Sequence, residues 1–367
     1  MKLFKDTFKG KTVLVTGHTG FKGSWLSIWL NMLGARVIGY SASVPTVPSN
    51  FDVSGLDDFM DHNLADIRDL ESLKDLVSKT RPDFVFHLAA QSLVRPSYEH
   101  PIDTLNVNAM GSAYVLESLR NLNKKVVAVM ITSDKAYDNV EWAWGYRETD
   151  RLGGKDPYSA SKGMAELAIR TYVESFFRQD SNIRIGITRA GNVIGGGDWA
   201  KDRIVPDCIR AWSTGESVDI RSPNATRPWQ HVLEPLSGYL SLACDLHDSE
   251  KNHGEAYNFG PSSANNYSVG QLIDEMEKSW SKAKWRDVSE KSNVYEAGLL
   301  KLNCDKALFD LKWKPTLNFQ QTVKMTADWY KCYFEENDVS MFKFSIDQIE
   351  AYAKLANSKS NNWALDD

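Results

Sequence analysis

The chain has 367 residues, 42% hydrophobic and 25% charged, a globular composition that excludes a disordered or fibrous protein. Its net charge of −5 argues against broad nucleic-acid binding. No apolar run approaches the roughly 20 residues of a membrane span.

The opening MKLFKDTFKGKTVLV lacks the apolar stretch and small cleavage residues of a secretory signal, so a cytoplasmic protein with no membrane partner is expected. Residues 11–16 (KTVLVT) form a β-branched run that ends at glycines. Residues 21–33 then place Phe21, Trp25, Ile28, Trp29 and Met32 at helical spacing. A second strand is expected over 35–40, followed by a Ser/Pro-rich loop. Helices over 69–79, 102–121 and 158–177 alternate with strands over 83–89, 125–131 and 183–188. This alternation predicts an α/β fold, a doubly wound parallel sheet covered by helices on both faces.

After residue 190 the rhythm changes to the triplet Gly195-Gly196-Gly197 and a Pro/Trp-rich stretch. Residues 1–190 are expected to form the sheet domain and 191–367 mainly a smaller mixed C-terminal lobe. A segment near 230–260 is expected to return to the first. Helices are expected over 232–248 and 269–281, and the polar tail over 358–367 is expected to fray, with Trp363 as its anchor. Cys208, Cys244, Cys304 and Cys332 are widely spaced and the seven His are scattered. Neither a disulfide framework nor a metal site is expected.

Gly17, Gly20 and Gly23 open the first helix in the spelling TGHTGFKG. A turn of this kind brings backbone N–H groups and the positive end of a helix to a pyrophosphate, which is the physics of a dinucleotide site. His18 and Lys22 in the loop are candidates for phosphate or ribose contact. An NAD site usually carries an acid at the end of the second strand. Here the chain reads Gly39-Tyr40-Ser41-Ala42-Ser43, with neither acid nor arginine, which favours NAD and leaves NADP open. Asp66-Ile67 follows the expected third strand, where Asp66 either meets an adenine amino group or, like Asp69, caps the next helix.

Tyr158 and Lys162, at i and i+4, share one face of a helix. An ammonium beneath the phenol would lower its pKa from the usual ~10 and make it a proton shuttle near neutrality. The same lysine can bond a nicotinamide ribose. Thr132 and Ser133 end the preceding strand on alternate faces, so one of them joins Tyr158, and Ser133 is preferred. Asp134 and Lys135 come next. A carboxyl and an amine beside a redox centre would add an elimination to an oxidation.

These segments together resemble the extended short-chain dehydrogenase/reductase family, whose sheet is of the Rossmann type. Within it, GHTGFKGSWL, TSDKAYDN, DPYSASK and AGNVIGGGDW are similar to the CDP-glucose 4,6-dehydratases of bacterial surface-sugar (O-antigen) biosynthesis. The likeness runs from about residue 10 to 330, and TSDK is its most specific part. Dehydratases of dTDP-glucose or GDP-mannose carry Asp-Glu where this chain has Asp134-Lys135, and 4-epimerases carry non-ionising residues there. Those enzymes are the alternatives.

The resemblance implies a 4,6-dehydratase that retains its NAD. Tyr158, helped by Ser133 and Lys162, would take the C4 hydroxyl proton, Lys135 the C5 proton, and Asp134 would protonate the leaving C6 hydroxyl. Gly17, His18, Gly20, Phe21, Lys22, Gly23, Asp66, Ile67, Leu88, Ala89, Ala90 and Asn108 would line the cofactor together with Tyr158 and Lys162. Asn192, Arg203 and Arg227 would meet the nucleotide-sugar substrate, with Arg227 preferred for the diphosphate because guanidinium forks match phosphate oxygens. Trp142, Trp144, Trp199 and Trp229 either wall the pocket or pack the core. A homo-oligomer, dimer or tetramer, is implied through helices flanking the Tyr158 helix.

Overall fold

The computed structural model describes residues 2–178, 181–262, 265–280, 283–289, 299–336 and 338–365. Val-, Ile- and Phe-rich runs form the inner strands, buried on both sides as a parallel sheet requires, while the polar edge strand Asp61–Leu64 stays partly exposed. The strands are β1 (Thr12–Thr16), β2 (Arg36–Ser41), β3 (Asp61–Leu64), β4 (Phe84–His87), β5 (Val126–Ile131), β6 (Ile183–Ala190) and β7 (Ala256–Phe259). All pair in parallel, in the order β3-β2-β1-β4-β5-β6-β7. The doubly wound sheet is therefore present, and Ala256–Phe259 extends it from beyond residue 190.

Alternation along the strands sorts the core into two layers. Leu14, Ile38, Val85, Ala128 and Met130 face helices α2 (Leu70–Thr80), α3 (Gly111–Leu119) and α4 (Pro157–Phe176). Val13, Val15, Phe84, Phe86, Val127 and Val129 face α1 (Phe21–Met32) and α5 (Leu233–Asp248). The chain runs outward from β1 to β3 and then starts again on the other side with β4. The carboxyl ends of β1 and β4 thus flank the crevice where such sheets bind ligands.

The expected single helix over 102–121 is instead three pieces, with a π-helical segment at Asn106–Met110 between Pro101–Leu105 and α3. Asn108 lies in that segment and is held by side-chain bonds described below; π-bulges of this kind often mark functional sites. The helix expected over 269–281 runs Val269–Glu277, and its expected end at Ser281 lies outside the described residues. The tail does not fray through residue 365. A helix spans Met341–Ser358, and Trp363 then stacks on Phe4 with ring centroids 4.9 Å apart and packs on Tyr352. That anchor and the turn Asn362–Ala364 hold the end of the chain.

Candidate active site

β1 ends at Thr16, and Gly17 turns the chain with φ +76° while its N–H donates to the Tyr40 carbonyl at 2.8 Å. A Cβ at Gly17 would meet Ala89 N at 2.6 Å, so only glycine lets the turn close against the end of β4. Gly20 caps α1 and bonds back to the Gly17 carbonyl, and Gly23 lies against that same carbonyl. No side chain caps the N-terminus of α1. Leu88 N and Ala89 N donate to the Thr16 carbonyl and hydroxyl, which lays Leu88-Ala89-Ala90 alongside the turn. Phe21 packs towards Gly195 and Val232.

His18 is not free to meet a phosphate. Its ring is buried over Gly39, where it bonds Ser41 Oγ at 2.8 Å and His62 Nδ1 at 2.6 Å. Burial, then the neighbouring His62, push it down to about 3, so the ring is neutral. Asp66 is likewise engaged. Arg68 clasps both carboxylate oxygens, and this pairing holds the group below the usual carboxylate range. Asp69, not Asp66, caps α2 by accepting from Ser72 N at 3.1 Å. Ile67 is a core residue beneath Gly111.

Asn108 is buried, with its amide divided between the Gln91 backbone and Ser161 Oγ at 2.8 Å. It therefore braces the loop after β4 against α4 rather than presenting its side chain to a ligand.

Asp156 and Pro157 start α4. The Asp156 carboxylate accepts from Ser159 N at 2.9 Å and Pro157 occupies the first turn, a strong local signal for a helix start. That start fixes Tyr158 and Lys162, both buried, beneath the turn that follows β5. Thr132 turns its hydroxyl inward to Glu166 and Thr188, whereas Ser133 faces Tyr158 and donates to Asp134 Oδ1 at 3.0 Å.

Burial dominates the electrostatics here. It pushes the Tyr158 phenol up to about 12, against the opposing pull of Ser133 and Arg203. The expectation of a phenol lowered by Lys162 is thus not met in the protein alone: desolvation wins, and the cation that opposes it is Arg203. Lys162 itself is pushed down to about 8 by burial, with Glu166 acting the other way. Asp134 is held above the usual carboxylate range by burial, against Lys135, Ser133 and Lys22. Such a carboxyl favours its protonated form, which an acid catalyst needs. Lys135 is half-buried, and its ammonium makes no ion pair with Asp134 within the contacts of the described residues.

Lys22 reaches further than the loop position suggests. It lies in the field of Arg203, Asp134 and Lys162, and burial pushes it down to about 8. Arg203 joins this cluster while pairing with Asp198 at 2.9 Å. Asn192 lies two residues past the end of β6, and its carbonyl accepts from Gln230 N at 3.4 Å where Val193–Ile194 pairs with Gln230–His231. Arg227 lies on a two-residue strand paired with Tyr267, farther along the same lobe. Trp199 and Trp229 are core residues, and Trp142 stacks on Tyr146 beside the exposed Trp144.

Two charged residues at the centre of the site escaped the sequence reading, Glu166 and Arg189, which form a fully buried ion pair. An arginine inside the apolar strand IRIGITRA was the available signal, because a buried charge demands a partner.

A sequence profile of the GDP-mannose 4,6-dehydratase family matches residues 14–326, most of the chain and all of the site just described. The chain belongs to this family. A CDP-glucose 4,6-dehydratase of Salmonella typhimurium is 45% identical over 340 residues, covering 91% of this chain and 94% of that protein. A UDP-glucose 4-epimerase of Mycoplasma pneumoniae is 22% identical, over 74% of this chain and 83% of its own length. Among solved structures, a dTDP-glucose 4,6-dehydratase of Bacillus anthracis in complex with NAD superposes with a TM-score of 0.73 at 20% identity, covering 92% of this chain and all of that one. Likeness at that identity establishes the fold, the Rossmann-type sheet with a further lobe.

No described helix is long and apolar enough to cross a membrane. Among the described residues, no His, Cys, Asp or Glu cluster of three or more is arranged to hold a metal ion.

Proposed function

We infer that this protein is a CDP-glucose 4,6-dehydratase, a hydro-lyase that converts CDP-D-glucose to CDP-4-keto-6-deoxy-D-glucose and water. The observation that carries the reading is the near full-length, 45% identity to the Salmonella enzyme of that activity. The Asp134-Lys135 pair beside Ser133 and Tyr158 supports it, because an epimerase has no step that needs them. A role in bacterial surface-polysaccharide deoxysugar synthesis, such as O-antigen, is part of the same proposal.

The glycine turn and the N-terminus of α1, which no side chain caps, fit the pyrophosphate of NAD, and the lack of an arginine at the end of β2 accords with NAD over NADP. Bound NAD would supply the hydride acceptor at C4 and the hydride donor at C6, held by the glycine turn, Tyr158 and Lys162. Tyr158, in the phenolate form that Ser133 and Arg203 favour against burial, takes the proton of the C4 hydroxyl, with Ser133 holding the same oxygen. The C4 ketone acidifies C5–H, and Lys135 removes that proton. Asp134 donates its proton to the C6 hydroxyl, which departs as water. Lys135 then returns its proton to C5, and the proton held on Tyr158 replaces the one lost from Asp134. Atoms balance: one water leaves and no net oxidation occurs.

Lys22, Arg203 and Arg227 would supply the positive charge that a diphosphate requires, and Asn192 is proposed to meet the hexose. Exposed Met164 and Leu167 on the Tyr158 helix, with exposed Ile102 and Met110 on the helical segments before α3, support a homo-oligomer packed through this region. Sedimentation of the protein and of Leu167→Glu checks this, with a larger species expected only for the former. A cytoplasmic location is proposed with the substrate, since nucleotide sugars are made there.

The test is incubation with CDP-glucose, dTDP-glucose, UDP-glucose and GDP-mannose separately, with products weighed by mass spectrometry. Loss of one water from CDP-glucose alone is expected. An unchanged mass with inverted C4 would replace the dehydratase by an epimerase.

A further inference from the structure

Thr132 and Tyr137 bracket the turn that carries Ser133, Asp134 and Lys135, and both are bound to the ion pair of Glu166 and Arg189. Thr132 Oγ1 donates to Glu166 Oε1 at 2.8 Å, and Arg189 Nε donates to the same oxygen at 2.6 Å. Arg189 Nη2 donates to Glu166 Oε2. The third guanidinium nitrogen, Nη1, donates to the Tyr137 phenol at 2.6 Å and to the Glu148 carbonyl at 3.1 Å. Tyr137 in turn donates to Asn258 Oδ1 at 2.8 Å, and Asn258 N donates to Glu148 Oε1 at 2.8 Å.

Glu166 and Arg189 are both inaccessible to solvent. A pair in that position adds little net stability, because removing two charges from water costs about what their attraction returns. Its geometry has a more specific consequence. Glu166 lies one helical turn beyond Lys162 and two beyond Tyr158, so one carboxylate links the helix of the proton shuttle to the start of the reacting turn. Arg189 carries that link to the end of the turn through Tyr137.

We propose that Glu166 and Arg189 are positioning residues that clamp the Asp134-Lys135 turn in register with Tyr158 and Lys162, so that oxidation and elimination act on one bound sugar. The proposal rests on the dehydratase reading. Glu166 also faces Lys162 as its counter-charge. Tyr158 shares that helix face with Lys162, and among the described residues His87 from β4, held neutral by burial, and Lys22 from α1 also lie in the field of that ammonium.

Tyr137→Phe breaks the link from Arg189 to the end of the turn while leaving the ion pair intact. It is expected to leave hydride transfer from C4 within about twofold and to slow water loss by about 10-fold. Equal slowing of both steps, or of neither, would overturn the clamp. Glu166→Gln keeps the shape and removes the charge. Carbon-13 NMR of ε-labelled lysine, with Lys162 assigned from Lys162→Met, is expected to show its titration midpoint falling by about one pH unit. An unmoved midpoint in folded protein overturns the role of Glu166.

Should Glu166→Gln fail to fold, Thr132→Val severs the other link and carries the same expectation as Tyr137→Phe. A lowered melting temperature with an unchanged ratio of the two steps marks a purely structural pair and also overturns the proposal. Wild-type protein that fails to dehydrate CDP-glucose refutes the activity instead, and the lysine titration, which needs no substrate, still decides the role of Glu166.

Discussion

Asp134 rests against a backbone that has no side chain: a Cβ on Gly191 would lie 2.9 Å from Asp134 Oδ2, closer than real Cβ atoms come. The residue after β6 therefore shapes the acid of the elimination step, although Gly191 carries no chemistry itself. Gly191→Ala is expected to displace the carboxyl by a few tenths of an ångström and slow water loss by about 10-fold, since misplacement of a catalytic group is costly even on that scale. Exchange of C5–H with solvent deuterium should persist. Water loss at the wild-type rate would show that Asp134 is placed by other contacts.

Tyr158→Phe removes the proton acceptor of the oxidation and one hydrogen bond to Ser133. Turnover should fall by about 10³-fold with the circular dichroism spectrum unchanged. Near-normal formation of reduced nicotinamide in a single turnover would exclude the phenol as base.

The elimination divides between two side chains, and their variants should fail differently. Lys135→Met is expected to allow reduction of the nicotinamide but abolish C5 deuterium exchange. For Asp134→Asn exchange should continue while water loss slows. Loss of both steps in Asp134→Asn would assign that residue to the structure of the turn.

The pH dependence follows from Lys162. Its ammonium, pushed down to about 8, is protonated below that value and neutral above it. The rate of the oxidation step is therefore expected to fall as pH rises through about 8, which a stopped-flow pH profile measures. Stability runs the opposite way for this group. A lysine depressed in the folded state binds fewer protons than the unfolded chain between its folded value and 10.5, so its contribution grows as pH climbs through that window.

Arg227→Ala should raise KM for the nucleotide sugar by about 10-fold with little change in kcat, the loss of one charge-assisted phosphate bond. An unaltered KM would move the diphosphate contact to Arg203 and Lys22.

The parts of this site that follow from local spacing were legible in the sequence. The strand–glycine–helix order around Gly17 marks the crevice, and Asp156-Pro157 together with the i, i+4 pair of Tyr158 and Lys162 marks the helix beneath it. What local pattern does not specify is where a polar side chain finds its partner across the fold. His18 turns to Ser41 and His62 because Gly39 leaves room for its ring, and Asp66 is taken by Arg68. Glu166 and Arg189 lie in different elements, and only the sheet-on-helix packing brings them together. The direction of the Tyr158 shift was also out of reach, because burial outweighs a neighbouring charge by an amount that depends on three-dimensional enclosure.

The proposed reaction moves a hydride internally from C4 to C6 of one glucose. It is tested most directly by CDP-glucose deuterated at C4, with the product located by proton NMR. The expected product is lighter by one water and carries its deuterium in the C6 methyl group. Deuterium returned to C4, in a product that has kept its water, would contradict it.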